Sequence, residues 1–314
     1  MTILPSRSNS ASTSDFLHHV EAFMFNHPGR DDAAAGASRR EIAPLDLPAG
    51  LTGDSDEVGP FGAIAVDVET TGLSPKSGRI IELAMRRFRY DRKGIITQIG
   101  ETYQWREDPG EPLDPEISAI TGLSDADLAG QAIDEGAATR LLNSVSFVVA
   151  HNSAFDRKWI ENRLPGARGL AWCCSMSQIN WRDRGFDGRT LGYLLMQNGF
   201  YHAGHRASAD VDALIQLLRH RSPNGHTALS ELTECGAKDS WIIRARGANF
   251  AVKEALSSRR YRWDPDRQVW WREVADDQLT AEQFWLAANV YSAEARPKAL
   301  GPDLERVTPR TRFL

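Results

Sequence analysis

Along residues 61–222 the spacing of apolar positions switches repeatedly between a period of two and a period near 3.6, the pattern of an α/β domain. Ala63-Ile64-Ala65-Val66-Asp67-Val68-Glu69 is a run of β-formers that stops at Thr70-Thr71-Gly72. Strands over 79–90 and 95–105 flank Asp91-Arg92-Lys93-Gly94, a four-residue connection with the glycine a hairpin favours. The first three strands should therefore form an antiparallel meander. After a stretch punctuated by Pro, Asp and Gly, the stripe Ile133, Ala137, Leu141 and Leu142 predicts a helix over about 131–143. A short buried strand over 147–150 leads into a helix that Asn152 or Ser153 can cap and that buries Phe155, Trp159, Ile160 and Leu164. A strand over 171–176 and a helix over about 190–198 follow. The stripe Ala207, Val211, Leu214, Ile215 and Leu218 closes the domain.

Outside 61–222 the pattern weakens. Residues 1–60 are rich in Ser, Ala, Gly, Pro and Asp and should be mostly unstructured. An exception is Phe16, Leu17, Val20, Phe23 and Met24, which have helical spacing. Ser222-Pro223-Asn224-Gly225 opens an expected linker over 223–238. A small α+β module over 239–293 is read as a strand (241–246), a helix (249–260), a hairpin turning at Asp264-Pro265-Asp266, and a last helix (282–291). The basic tail, 294–314, is expected to be loose.

At 314 residues the chain has room for two domains. No apolar run approaches the ~18–20 residues of a membrane span, and no basic-then-apolar signal opens the chain, so a bacterial cytoplasm or nucleoid is the expected location. Cys173, Cys174 and Cys235 provide neither a disulfide framework nor a zinc knuckle. The net charge of −5 argues against a histone-like polyanion binder, but basic patches act locally and nucleic acid stays open.

Candidate chemistry starts at Asp67 and Glu69. Side chains alternate along a strand, so these two carboxylates share a face and repel each other unless a cation or proton lies between them. A bare Asp-X-Glu is most often the polar end of an edge strand. Two further acids in matching places change that reading. Asp156 falls in the first turn of the helix after the 147–150 strand, where α/β sheets place ligand groups. Asp210 falls in the opening turn of the closing helix, with His205 on the loop leading in. Four carboxylates at strand ends and first helical turns can converge, and hard oxygen ligands suit Mg²⁺ or Mn²⁺. Two such ions can clamp a phosphodiester, with a nearby histidine taking the proton from the attacking water.

Asp67-Val-Glu69-Thr-Thr-Gly72, His151-Asn-Ser-Ala-Phe-Asp156 and His205-Arg-Ala-Ser-Ala-Asp210 together resemble the three exonuclease motifs of the DEDD superfamily, histidine branch, which includes the proofreading epsilon subunits of bacterial replicative polymerases. The likeness covers about 61–220, in order and with typical gaps. It implies a ribonuclease H-like mixed sheet flanked by helices, two divalent cations, and 3′-to-5′ release of nucleoside monophosphates. Carried over, Asp67, Glu69, Asp156 and Asp210 become metal ligands and His205 the general base. Thr70, Thr71, Gly72, Leu73, Asn152 and Phe155 would hold the 3′-terminal nucleotide. Where many relatives carry Asp-Thr after the fifth strand, this chain has Cys174-Ser175, a departure at a position that is not a metal ligand.

The resemblance implies single-stranded or frayed DNA 3′ ends as substrate, and leaves open a proofreader with a DNA polymerase as partner or a free-standing repair or processing nuclease. RNA ends are the alternative, since nothing in the sequence reads a 2′-hydroxyl. A catalytically inactive nucleic-acid binder is the alternative of another class, and it should have lost one of the acids. His151 and His202 are read as structural or exposed, and Asp183 and Asp212 as solvated surface acids. Between Arg244 and Arg272 eight Arg/Lys face three acids, and Tyr261, Trp263 and Trp270 are the expected grip on a single strand.

Overall fold

The computed structural model describes residues 41–53 and 57–314; the apolar spacing at Phe16 to Met24 lies outside them. Strands β1 (Ala43–Pro44) and β2 (Gly50–Leu51) precede the meander of β3 (Phe61–Thr70), β4 (Ile80–Tyr90) and β5 (Ile96–Arg106). Three helices follow: α1 (Pro115–Thr121), α2 (Asp125–Leu128) and α3 (Glu135–Asn143). The first of these is too short to show an apolar period. Its ends are set locally, by Asp114 accepting from the Glu116 N–H and by Gly122 at φ 69.

Next come β6 (Phe147–Ala150), α4 (Ser153–Arg163), β7 (Trp172–Cys174), α5 (Ser175–Gln178), α6 (Leu191–Gln197), β8 (Phe200–Tyr201), α7 (Ala207–Leu218) and α8 (Ala228–Ala237). The central sheet runs β2-β5-β4-β3-β6-β7. Its β2 to β3 half is antiparallel, and β6 and β7 run parallel to β3. Helices cover both faces, as in a ribonuclease H-like fold.

Alternation along β3 decides which face meets which helix. Ile64, Val66 and Val68 pack in the core that includes Trp159 and Ile160 of α4. Ala63 and Ala65 pack in the core that includes Val211 and Leu214 of α7. Asp67 and Glu69 continue the alanine series, so they emerge on the α7 side.

The remaining elements are β9 (Ser240–Arg244), α9 (Lys253–Ser258), β10 (Arg262–Asp264), β11 (Val269–Ala275), α10 (Leu279–Asn289) and β12 (Asp303–Val307). Their antiparallel sheet, β10-β11-β9-β12, has its own core of Ile243, Leu256, Tyr261, Val274 and Leu286.

Three expectations are corrected here. The segment 223–238 is no free linker: α8 buries Ala228, Leu229 and Leu232 in the α7-side core, and its cap Thr227 donates to the Gly94 carbonyl at 2.8 Å. The tail is not loose. Strand β12 pairs with β9, and the Trp172 N–H donates to the Pro309 carbonyl at 3.0 Å. Residues 41–53 are also ordered, because β1 pairs with β8 and the Leu47 carbonyl accepts from the buried Arg86 guanidinium at 2.7 Å. The tail and 41–53 are held largely by backbone pairing, which leaves no periodic trace, whereas α8 is a short helix that follows the Ser222-Pro223-Asn224-Gly225 break.

Arg157, 1% exposed, is the main anchor of the tail. It pairs with Glu161 at 2.8 Å and donates to the Arg312 and Arg310 carbonyls. Removing one partner of a buried ion pair costs about 3–5 kcal/mol. Arg157→Met should therefore lower the melting temperature by several degrees and open the C-terminus to proteolysis. A variant that melts with the wild type would show the anchor to be dispensable.

Candidate active site

Asp67 and Glu69 stand at the end of β3, where its pairing with β4 slips between Glu69 and Thr70. Asp210 reaches them from the first turn of α7. One carboxylate oxygen from each of Asp67, Glu69 and Asp210 lies within 4.8 Å of the other two. Asp156 stands outside that trio, 3% exposed in the first turn of α4.

The electrostatics are those of acids crowded without a counter-charge. Burial first, then Asp156, Asp210, Glu69 and Glu82, hold the Asp67 carboxyl well above the usual carboxylate range. Burial, then Asp210, Glu82 and Asp156, push Glu69 up to about 8, against a lowering from Arg206. Burial pushes Asp156 up to about 7, although backbone N–H groups, including that of Val68, stabilise its ionised form. Three hard oxygen donors this close are chemically suited to a divalent cation.

A consequence for stability follows. Unfolded, the carboxyls of Glu69 and Asp156 titrate near 4; folded, they are pushed up to about 8 and about 7. The folded chain therefore binds more protons over that window, and stability falls as pH rises through it. In chelator, the melting temperature should drop between pH 5 and pH 8. Added Mg²⁺ or Mn²⁺ should recover it more at pH 8 than at pH 5. A flat melting temperature with no cation response at either pH would contradict the crowding.

The frame around the acids is built by a residue that motif reading missed. Glu82, fully buried on β4, is the cross-strand partner of Glu69. It accepts from Gln104 Nε2 at 2.6 Å, from the Ala207 N–H at 3.0 Å and from Arg206 Nη2 at 3.3 Å. Glu82 thus fixes the start of α7, and with it Asp210. The available signal was a lone charge inside the apolar run Ile80-Ile81-Glu82-Leu83-Ala84-Met85.

The histidines fall differently from one another. His205 is exposed on the loop before α7, with φ 61. The imidazole that touches the acids is His202, whose Nε2 donates to Asp210 Oδ1 at 2.8 Å. His151 is structural: Nδ1 meets Ser175 Oγ and Nε2 meets the Arg189 carbonyl, both at 2.7 Å. Burial lowers its pKa. Asp212 is not a solvated acid, since Arg86 Nη1 pairs with it at 2.6 Å; Asp183 is exposed, as expected.

Around the mouth, Thr70 donates to the Gly72 carbonyl at 2.7 Å, and Thr71 Oγ1 accepts from the Arg79 N–H at 2.9 Å. Leu73 is 87% exposed, an apolar side chain left to solvent beside the acids. Asn152 makes no side-chain cap; it sits at φ 98, and Phe155 packs against Trp159 with ring centroids 5.9 Å apart. In the C-terminal module Tyr261 is 3% exposed and donates to Glu282, so it is core and not a gripping surface. Trp263 is 48% exposed, and Trp270 packs on it edge to face at 5.7 Å.

Residues 64–168 match the family described as RNase_T, exonuclease. The chain is 28% identical to DNA polymerase III subunit epsilon of Treponema pallidum (strain Nichols) over 180 residues, 52% of this chain and 79% of that protein. It is 27% identical to ribonuclease T of Shewanella baltica (strain OS155) over 115 residues, 32% of this chain and 51% of that protein. The chain thus spans about half the length of the ribonuclease T relative. Among solved structures, E. coli exonuclease I in complex with a dA16 oligonucleotide aligns with a TM-score of 0.43 and 18% identity, over 80% of this chain and 64% of that one.

Proposed function

We propose that this chain, an exonuclease-family protein by the match over residues 64–168, is a metal-dependent 3′–5′ exonuclease that releases nucleoside monophosphates from DNA ends. The observation that carries the reading is the convergence of the Asp67, Glu69 and Asp210 oxygens within 4.8 Å, with Asp156 buried beside them. An inactive binder would have no reason to retain four acids that destabilise one another.

Asp67, Glu69, Asp156 and Asp210 would hold two cations, Mg²⁺ or Mn²⁺. Bound there, the cations neutralise the acids, lower the pKa of water and stabilise the leaving oxygen of a phosphodiester. The chain supplies the rest. His205 accepts the proton of the attacking water on a ring nitrogen. Thr70, Thr71 and Gly72 meet the terminal nucleotide through backbone, and Leu73, Asn152 and Phe155 line its base and sugar. Glu82 and Arg206 keep Asp210 in register with β3.

DNA is favoured over RNA by the longer match to a polymerase subunit, which also makes a DNA polymerase the partner to test by pull-down. The ribonuclease T likeness supports RNA ends as the second reading. No described helix is long and apolar enough to cross a membrane, which fits action on nucleic acid in the cytoplasm or nucleoid. A 5′-labelled DNA oligonucleotide with Mg²⁺ or Mn²⁺ should shorten as a ladder from its 3′ end. Faster shortening of a matched RNA would move the assignment to RNA. No shortening of either strand would leave only the binding protein.

A further inference from the structure

The C-terminal module contains a cleft of about 420 Å³ between the end of α9, strand β11 and the start of α10. Arg259, Arg260 and Arg272 line it together with Ser258, Asp277 and Glu282. Glu282 is only 3% exposed and organises the arginines. It accepts from Arg259 Nη2 and Arg272 Nη1, both at 3.2 Å, and from the Tyr261 hydroxyl at 3.1 Å. Arg272 also donates to the Arg259 carbonyl at 3.0 Å.

Two guanidiniums drawn onto one carboxylate carry ten N–H donors between them, far more than Glu282 and one carbonyl can accept. The remaining N–H groups are open to solvent or to an anion entering the cleft. Arg260 adds a third guanidinium from a left-handed position, φ 69, where glycine is the usual residue after a helix. Against these three cations stand Glu282 and Asp277, so the lining is one positive charge in excess. A single phosphodiester, with one negative charge and oxygens matched to a guanidinium fork, balances it.

The neighbouring ring argues for nucleic acid over an acidic peptide. The Arg259 guanidinium lies 5.1 Å over the Trp285 ring, which is itself stacked on Tyr261. A partly exposed indole beside a cluster of guanidiniums is the pairing that single-strand binders use. The acid cluster also repels phosphate until cations arrive, so a second surface has to provide affinity. We propose that this cleft binds one backbone phosphate of single-stranded nucleic acid. Naming nucleic acid as the ligand rests on the exonuclease reading of the acid cluster.

The test uses the full chain, a fluorescent oligo-dT in metal-free buffer, and two variants, Arg260→Ala and Arg272→Gln. Arg260 is exposed, so its loss leaves the module core intact. Each variant should weaken oligonucleotide binding roughly tenfold and flatten the slope of log affinity against log salt by about 0.7, the value for one single-strand phosphate contact. Both should hydrolyse the p-nitrophenyl ester of thymidine 5′-monophosphate with Mg²⁺ or Mn²⁺ as the wild type does, since that ester reports only the acid cluster. Wild-type affinity and salt slope in folded Arg260→Ala would overturn the cleft. A poly-glutamate peptide bound as tightly as the oligonucleotide would overturn it in favour of an acidic protein. Failure of the wild type to hydrolyse the ester would instead overturn the exonuclease reading, and the oligonucleotide result would still stand by itself.

Discussion

Asp67→Asn should cut hydrolysis of a labelled oligonucleotide by about 10³-fold or more, the upper end of what one preorganised electrostatic group supplies, and should make the metal-free protein more stable. The two effects have one cause. Asp67 is the residue with a buried carboxyl that feels all of Asp156, Asp210, Glu69 and Glu82. Its charge is costly in the absence of a cation and, in the proposed role, is what holds one. Asparagine keeps the shape and removes the charge, so at pH 8 the metal-free variant should melt higher than the wild type. At pH 5 the difference should shrink, because a carboxyl held well above the usual carboxylate range carries less charge at lower pH for the substitution to remove. Rising stability with lost activity separates a ligand role from a structural one. A destabilised variant would mean that Asp67 is a framework group, and full activity would place the chemistry elsewhere.

The parts of the site that were legible in the sequence are those carried by regular elements. Asp67 and Glu69 share a face because a strand has period two, and Asp210 lies in the first turn of a helix whose apolar stripe is unbroken. Those two facts bring the trio together with no knowledge of the fold beyond which helix covers which face. What stayed hidden depends on long-range single contacts. Glu82 looks like an anomaly in a buried strand until Ala207 and Arg206 are seen to need an acceptor. Asp212 looks solvated until Arg86 is found across the sheet. Tyr261 reads as a surface aromatic because a basic, Trp-rich stretch does not disclose which of its rings form the core of a small module.

The N-terminal strap adds a link that composition concealed. Residues 43–45 hydrogen-bond to Gly199 and Tyr201, immediately before the histidine loop, and the strap is tied through Leu47 to Arg86 and so to Asp212 on α7. This short segment thus braces both ends of the loop that carries His202 and His205. Its stabilisation combines that backbone pairing with Leu47, buried in the α7-side core, and Leu45 packed against it.

That loop sets the terms for His205→Ala, which should lower the rate by roughly 10²–10⁴-fold, the usual contribution of a general base, with cation affinity nearly unchanged. The chain is pinned on both sides of the histidine. His202 is held to Asp210, and Arg206 is held to Glu82 and, through its N–H, to Asp210 Oδ2 at 3.2 Å. Only Ala203, Gly204 and His205 span the interval, so the exposed imidazole can swing without disturbing the acids. Alanine at φ 61 adds backbone strain of its own, whereas asparagine tolerates the left-handed region. His205→Asn therefore serves as the control: it preserves the turn and lacks a base. Equal losses in both variants, with cation binding intact, assign the effect to proton transfer. Recovery in asparagine alone would make His205 a turn residue, and the base would have to be sought at His202.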